Sequence, residues 1–316
     1  MPKQVFQTST RGKLLLTGEY FVLDGVPALA VPTQLGQSFQ VLPAADGVEH
    51  DLYWRAYDKA EKLWFSRAFD RSEWTNKYLA RPQVQSEDSA SRIRQLFAAA
   101  EALKPGVTSR IRGLKVTTRL QFDRAWGLGS SSTLVAAFAK WLGVDPYALL
   151  AKTFGGSGYD LACAVAKGPI LYERQAPTPK VTELNWQPDW LRQTYFVYQN
   201  QKQNSREGIS AYRAKTIGER QKQAIGEITT AILSPGLHLR AAAHLLAEHE
   251  RIVSKTLNLP PVQERLFPNF PGQLKSLGAW GGDFLWALSE ESPEKIRGFF
   301  NSKGYQTVIA YHDMVL

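Results

Sequence analysis

The chain has 316 residues, 44% apolar and 21% charged, a composition that fits a globular protein of about two domains and excludes a disordered or fibrous one. No stretch approaches the roughly 18 consecutive apolar residues of a spanning helix, and the single cysteine, Cys163, excludes an internal disulfide. The 38 basic and 29 acidic residues leave a net charge of +9 without a basic tail or a recognised nucleic-acid motif, so the excess reads as a field for a small anionic substrate.

In chain order, Lys13 heads an apolar run that turns at Gly18, and residues 22–31 carry Asp24-Gly25 between two apolar runs, which predicts a hairpin. Residues 48–70 alternate with aromatics (Tyr53, Tyr57, Trp64, Phe65, Phe69) and predict further strands with those rings in a core. Residues 89–103 predict an amphipathic helix with Ile93, Leu96, Phe97 and Ala100 on one face. Leu114, Val116, Thr118, Leu120 and Phe122 have the period of a strand with one buried face. Leu134, Val135, Ala137, Phe138, Trp141 and Leu142 then recur at helical spacing until Gly143. Asp145-Pro146 is an N-cap followed by proline at the first helical position, for a helix to about Phe154. A second glycine-rich turn from Gly155 opens an apolar helix with Asp160 just inside its start and Cys163 as a buried, bland thiol. Ile170–Glu173 is a predicted strand, and Ala176-Pro177-Thr178-Pro179 reads as the best linker, dividing the chain into domains 1–178 and 179–316. The second domain predicts a strand over 194–199, helices over 205–233 and 237–257, a strand over Phe284–Leu288, a helix started by Ser292-Pro293 and a last strand over 307–311. Two βα units with helices on one face suggest a ferredoxin-like α+β domain. His238, His244 and His249 fall on one predicted helix without the pairing of a metal site, so they read as surface or interface histidines.

The stretch that organises the chain is Gly127-Leu128-Gly129-Ser130-Ser131-Ser132, between a strand and a helix. Its glycines permit positive φ and close backbone approach, its serines are expected to cap the helix, and the first N–H groups of that helix point outward. A glycine turn feeding a helix N-terminus is an anion site, and phosphate is the usual anion. It is not a Walker A loop, which needs Lys-Ser/Thr after its last glycine, nor a dinucleotide fingerprint, which needs a third glycine and an acid ending the next strand. Lys13 on an apolar strand reads either as a strand-end lysine in water or as a cation aimed at a phosphate, and Asp160 either as an acid complementing its helix dipole or, beside phosphates, as a positioned base.

Three glycine-rich turns in this order, Gly12-Lys13 through Gly18-Glu19-Tyr20, 127–132, and Gly278-Ala279-Trp280-Gly281-Gly282-Asp283, with Gly156-Ser157-Gly158-Tyr159-Asp160 after the second, resemble the GHMP kinases. The resemblance spans nearly the whole chain. It implies a two-domain α+β fold, with a ribosomal-protein S5 domain 2-like N-terminal domain and a ferredoxin-like C-terminal domain. It also implies transfer of the ATP γ-phosphoryl group, with residues 127–132 holding the phosphates and Ser131 ligating Mg²⁺. Lys13 would neutralise the transferring group and Asp160 would orient, or deprotonate, the acceptor. Glu19, Tyr20, Ser157, Gly158 and Tyr159 would line the acceptor side. Lys202 and Ser205, where a strand meets a helix, would reach acceptor or phosphate.

Within the superfamily the details lean to phosphomevalonate kinase: Tyr20 stands where mevalonate kinases have histidine, Leu161 where they have asparagine, and Gly281-Gly282-Asp283 matches its third motif. Leu149 stands where mevalonate kinases place a metal-binding glutamate. The expected partner is a small anionic acceptor, without nucleic acid or membrane, acting as monomer or homodimer in the cytoplasm, since no apolar leader precedes the first strand. Mevalonate kinase, a sugar kinase and a catalytically dead relative remain alternatives. The sequence departs from the family at Trp280, which replaces a glycine, and at Asp123-Arg124-Ala125-Trp126, which replaces a proline-rich lead.

Overall fold

Alternating burial sets the first strands of the computed structural model, which describes residues 6–45, 49–74, 88–201, 205–280 and 282–316. In chain order the elements are β1 (Phe6–Leu15), β2 (Ala28–Pro43), β3 (Leu52–Tyr57), β4 (Leu63–Phe69), α1 (Ser89–Leu103), β5 (Leu114–Leu120), α2 (Ser130–Leu142), α3 (Pro146–Lys152), α4 (Tyr159–Val165), β6 (Ile170–Glu173) and β7 (Lys180–Glu183). There follow β8 (Thr194–Tyr198), α5 (Ser205–Arg213), α6 (Glu219–Ile232), α7 (Leu239–Leu257), α8 (Val262–Leu266), β9 (Gln273–Ser276), β10 (Phe284–Leu288), α9 (Pro293–Asn301), β11 (Val308–Ala310) and α10 (Tyr311–Met314). A seven-stranded sheet has the order β4-β3-β5-β2-β6-β7, with β1 also on β2, and a four-stranded sheet has the order β11-β8-β10-β9. The long β2 pairs with β6 at its start, Ala28 opposite Tyr172, and with β5 at its end, Pro43 opposite Leu114.

The chain divides into two compact units. The first takes the chain to Gly12, Leu35–Arg124 and Gly129–Val165. Its core is built where the helix period of α1 and α2 meets the strand period of β3 and β5. Leu52, Trp54 and Ala56 face inward on β3 while Tyr53 and Tyr57 take the other face, so the ring that enters the core is Trp54. Phe97 of α1 stands 4.8 Å from Phe138 of α2, edge to face, and 4.5 Å from Trp74, stacked. Asp145 caps α3 by accepting the Ala148 N–H, and Gly143 ends α2 in the left-handed region.

The second unit takes Lys13–Gln34, Ala125–Leu128 and Ala166–Leu316. Its chain order β8, helices, β9, β10, α9, β11 with spatial order β11-β8-β10-β9, all antiparallel, is the ferredoxin-like βαββαβ arrangement. Val197, Leu285, Phe267 and Phe300 form its core.

Four expectations need correction. The Asp24-Gly25 turn does not join two strands. Phe21–Asp24 is a single 3₁₀ turn closed by Gly25 at φ +84°, because Phe21, Val22 and Leu23 in succession are all buried, which an alternating strand would not do. Lys13 lies toward the end of β1, not at its head, since Thr8 and Thr10 already face inward upstream of it. The last strand stops at Ala310, where Tyr311–Met314 forms a short helix. His249 is completely buried, and His238 is the N-cap of α7. Residues 176–179 connect β6 to its antiparallel partner β7.

Candidate functional site

The first unit contributes a helix start and a carboxylate. Gly129, at φ +88°, is the N-cap of α2, so the serines expected to cap it are instead its first three residues. The first intrahelical bond runs from the Thr133 N–H to the Gly129 carbonyl at 2.9 Å. The N–H groups of Ser130, Ser131 and Ser132 are therefore those a helix leaves without partners in its own turn. No acidic residue occupies that first turn, so the positive end of the helix stays uncompensated from within. The Thr133 hydroxyl donates to Gln37 Oε1 at 2.6 Å and fixes the helix start on β2. The Ser132 hydroxyl donates to Asp160 Oδ2 at 2.9 Å. Asp160 sits in the first turn of α4, which Gly158 enters at φ +91° and which Leu161, Ala162, Cys163 and Ala164 anchor in the core. Ser157 is half-buried and Tyr159 buried beside it.

The second unit gathers residues of all three glycine-rich motifs. The Lys13 backbone N–H donates to the Leu128 carbonyl at 3.1 Å, joining the first motif to the second. Gly127 has φ +65°, and a β-carbon added there would lie 2.3 Å from Asp283 Cγ, joining the second motif to the third. The Tyr20 hydroxyl accepts the Trp280 backbone N–H at 3.0 Å, joining the first to the third. Tyr20 is buried and stacks on Tyr212 at 5.6 Å, and burial pushes its phenol above the ordinary range, so the hydroxyl keeps its proton. Trp280, where the resemblance expects a glycine, is 5% exposed. Gly278 has φ +70°, and Gly282 accepts a hydrogen bond from Gln199 Nε2 at 2.6 Å. Lys202 and Gly281 lie outside the described residues, and Ser205 begins α5.

Glu19 is fully buried, and this placement was not legible in the sequence. Its carboxylate pairs with Lys275 of β9, itself fully buried, and its second oxygen lies 3.3 Å from His249 Nε2 of α7. His249 Nε2 accepts the Gly18 N–H at 2.9 Å, and burial holds the imidazole well below its ordinary pKa. The imidazole is therefore neutral and contributes no ion pair. Burial also raises the Glu19 carboxyl, against the pull of Lys275. Glu250 accepts the Ser276 N–H at 3.1 Å and its hydroxyl at 3.2 Å, and burial pushes its carboxyl up to about 8. The signal that existed for this network was Lys275 in the short run Gln273–Ser276, where a lysine inside a strand asks for a buried acid.

Among the described residues no group of three or more His, Cys, Asp or Glu side chains could hold a metal ion. Mg²⁺ uses one or two protein oxygens together with phosphate and water. Ser131 and Asp160 supply a hydroxyl and a carboxylate of the hard-oxygen kind it prefers.

No protein-family model matches the sequence, and none of the curated proteins matches it. Solved structures do. The chain superposes on L. major mevalonate kinase in complex with R-mevalonate with a TM-score of 0.65 at 16% identity, covering 98% of this chain and 97% of that one. It superposes on Streptococcus pneumoniae phosphomevalonate kinase in complex with phosphomevalonate and AMPPNP with a TM-score of 0.66 at 18% identity, covering 96% and 99%. It superposes on a D-glycero-D-manno-heptose 1-phosphate kinase from Bacteroides thetaiotaomicron with a TM-score of 0.62 at 17% identity, covering 98% and 95%. The chain has the two-domain GHMP kinase fold. No helix among the described residues is long and apolar enough to cross a membrane.

Proposed function

We propose that the chain is an ATP-dependent small-molecule kinase of the GHMP type, and that its acceptor is 5-phosphomevalonate. The observation that carries the reading is the hydrogen bond from Ser132 to Asp160, which ties the expected catalytic carboxylate to the same helix start that the glycine loop opens toward phosphate.

In this reaction the bond between Pγ and the β,γ-bridging oxygen breaks, and a bond from Pγ to the acceptor oxygen forms. The negative charge of the leaving phosphate is what the protein has to stabilise. The N–H groups of Ser130–Ser132 and the uncompensated α2 terminus bind the β- and γ-phosphates. Lys13 adds a point charge for the transferring group. Asp160, oriented by Ser132, aligns the acceptor oxygen and takes its proton when the acceptor is an alcohol. An ionised phosphate acceptor needs only alignment and charge balance. Mg²⁺, when bound, neutralises phosphate charge, with Ser131 and Asp160 as the residues that would hold it.

Phosphomevalonate is favoured over mevalonate by Tyr20, by Leu161, which is buried behind Asp160, and by Leu149, fully buried where mevalonate kinases carry a glutamate. The test measures ADP release with 5-phosphomevalonate, mevalonate and D-glycero-D-manno-heptose 1-phosphate as acceptors. The highest kcat/KM is expected for 5-phosphomevalonate, and Asp160→Asn should lower the rate with mevalonate more than with phosphomevalonate. Preference for either other acceptor overturns the acceptor assignment. Absence of turnover with all three, together with absence of ATP binding, overturns the kinase reading.

A further inference from the structure

We propose that Asp283 is the positioning residue of the phosphate loop, a wedge whose carboxylate holds Gly127 in its nucleotide-binding conformation. The inference rests on the kinase reading. A β-carbon at Gly127 would lie 2.3, 2.4 and 2.6 Å from Asp283 Cγ, Oδ2 and Oδ1, so the carboxylate occupies the space that a side chain at 127 would take. One at Gly278 would lie 3.7 Å from Asp283 Oδ2, so the same carboxylate also abuts the third motif's first glycine. Glycine at φ +65° has more backbone freedom than any other residue. A group packed against its Cα removes that freedom without adding a side chain to the turn. The next residue is gripped as well, through the Lys13 N–H to the Leu128 carbonyl at 3.1 Å.

Asp283 is itself fixed. Its N–H donates to the Gln201 carbonyl at 2.8 Å, its carbonyl accepts the Gln199 N–H at 2.9 Å, and only 7% of it is exposed. Its φ of +57° lies where most side chains are strained, but Asn, Asp and Gly are tolerated. Two substitutions therefore separate the wedge from the backbone. Asp283→Asn keeps the shape without the charge, and Asp283→Gly removes the wedge at a φ that glycine favours.

The experiment titrates the full chain and both variants with AMPPNP, and follows thermal unfolding of these and of Gly127→Ala with and without Asp283→Gly. Asp283→Asn should bind within about threefold of the wild type and Asp283→Gly about tenfold more weakly. Gly127→Ala should lower Tm much less when Asp283→Gly is present, because the new methyl then has room. Unchanged or tighter binding in Asp283→Gly, or an equal Tm cost of Gly127→Ala in both backgrounds, overturns the wedge. Failure of the wild type to bind AMPPNP would count against the kinase reading, while the Tm coupling would still decide whether Asp283 constrains Gly127.

Discussion

One residue that alters the electrostatics of the second unit, Glu250, belongs to none of the glycine motifs. Glu250 is 2% exposed, and burial pushes its carboxyl up to about 8, with Lys275 pulling it down and Glu19 pushing it further up. Below that pH it is protonated and His249 is neutral, which leaves Glu19 and Lys275 as the remaining buried ionisable pair. Because the folded pKa lies above the ordinary 4.5, the unfolded chain releases this proton first as pH rises. At this site the folded state then binds more protons than the unfolded one, so the contribution of Glu250 to stability falls with pH between about 4.5 and about 8 and levels off above, while His249, kept neutral by burial, contributes in the opposite direction below its ordinary 6.5. Across that window the loss should be on the order of a few kcal/mol. Glu250→Gln keeps the size and one acceptor for Ser276 but cannot titrate, so relative to the wild type its stability should gain with rising pH over the same range. Parallel pH profiles for variant and wild type would refute the assignment. Lys13, Asp160 and the three glycine turns could be read directly because each is a local pattern of a few residues. The partners of Glu19 could not, since Lys275 follows it by 256 positions and only the fold brings them together.

Among the elements, two glycines show how the same residue serves opposite ends. A β-carbon at Gly36 in β2 would lie 2.0 Å from the Thr10 carbonyl oxygen of β1, so the two strands approach this closely only because the side chain is missing. Gly298 in α9 is exposed, with nothing within 4 Å of its would-be β-carbon, and merely weakens a helix. Gly36→Ala should cost about 2 kcal/mol or more, because backbone must move. Gly298→Ala should gain about 0.5–1 kcal/mol. Chemical denaturation of both variants checks the pair, and a stable Gly36→Ala protein would mean that the β1–β2 contact has slack. The same distinction governs what could be read ahead of the fold. α1, β6 and β10 coincide with their predicted spans, because period and punctuation are carried within each segment. The turn at Phe21–Asp24 and the strand Gln273–Ser276 were missed. The first packs three neighbouring apolar residues that suit either strand or helix, and the second is four residues long and owes its conformation to pairing with β10.

At the scale of the molecule, the net charge of +9 has a consequence that separates the candidate acceptors. A positive protein attracts anions over roughly a Debye length, about 30 Å at 0.01 M salt and about 8 Å at 0.15 M. Attraction scales with the charge of the ligand, and 5-phosphomevalonate carries a phosphate in addition to the carboxylate it shares with mevalonate. With ATP saturating, so that its own binding no longer limits the rate, kcat/KM for the acceptor should fall as salt is raised. The fall should be steeper for 5-phosphomevalonate than for mevalonate, by about a few-fold across the range from 0.01 to 0.15 M. The general field and a local site predict different patterns. If the scattered basic residues act together, single Lys→Gln or Arg→Gln changes on the surface should each reduce the salt slope slightly and additively. If instead the charge that matters belongs to Lys13 alone, Lys13→Met should flatten the slope and the surface changes should leave it unaltered. Equal salt slopes for the two acceptors would remove charge as a determinant of acceptor choice and leave the contacts around the bound acceptor to explain any preference.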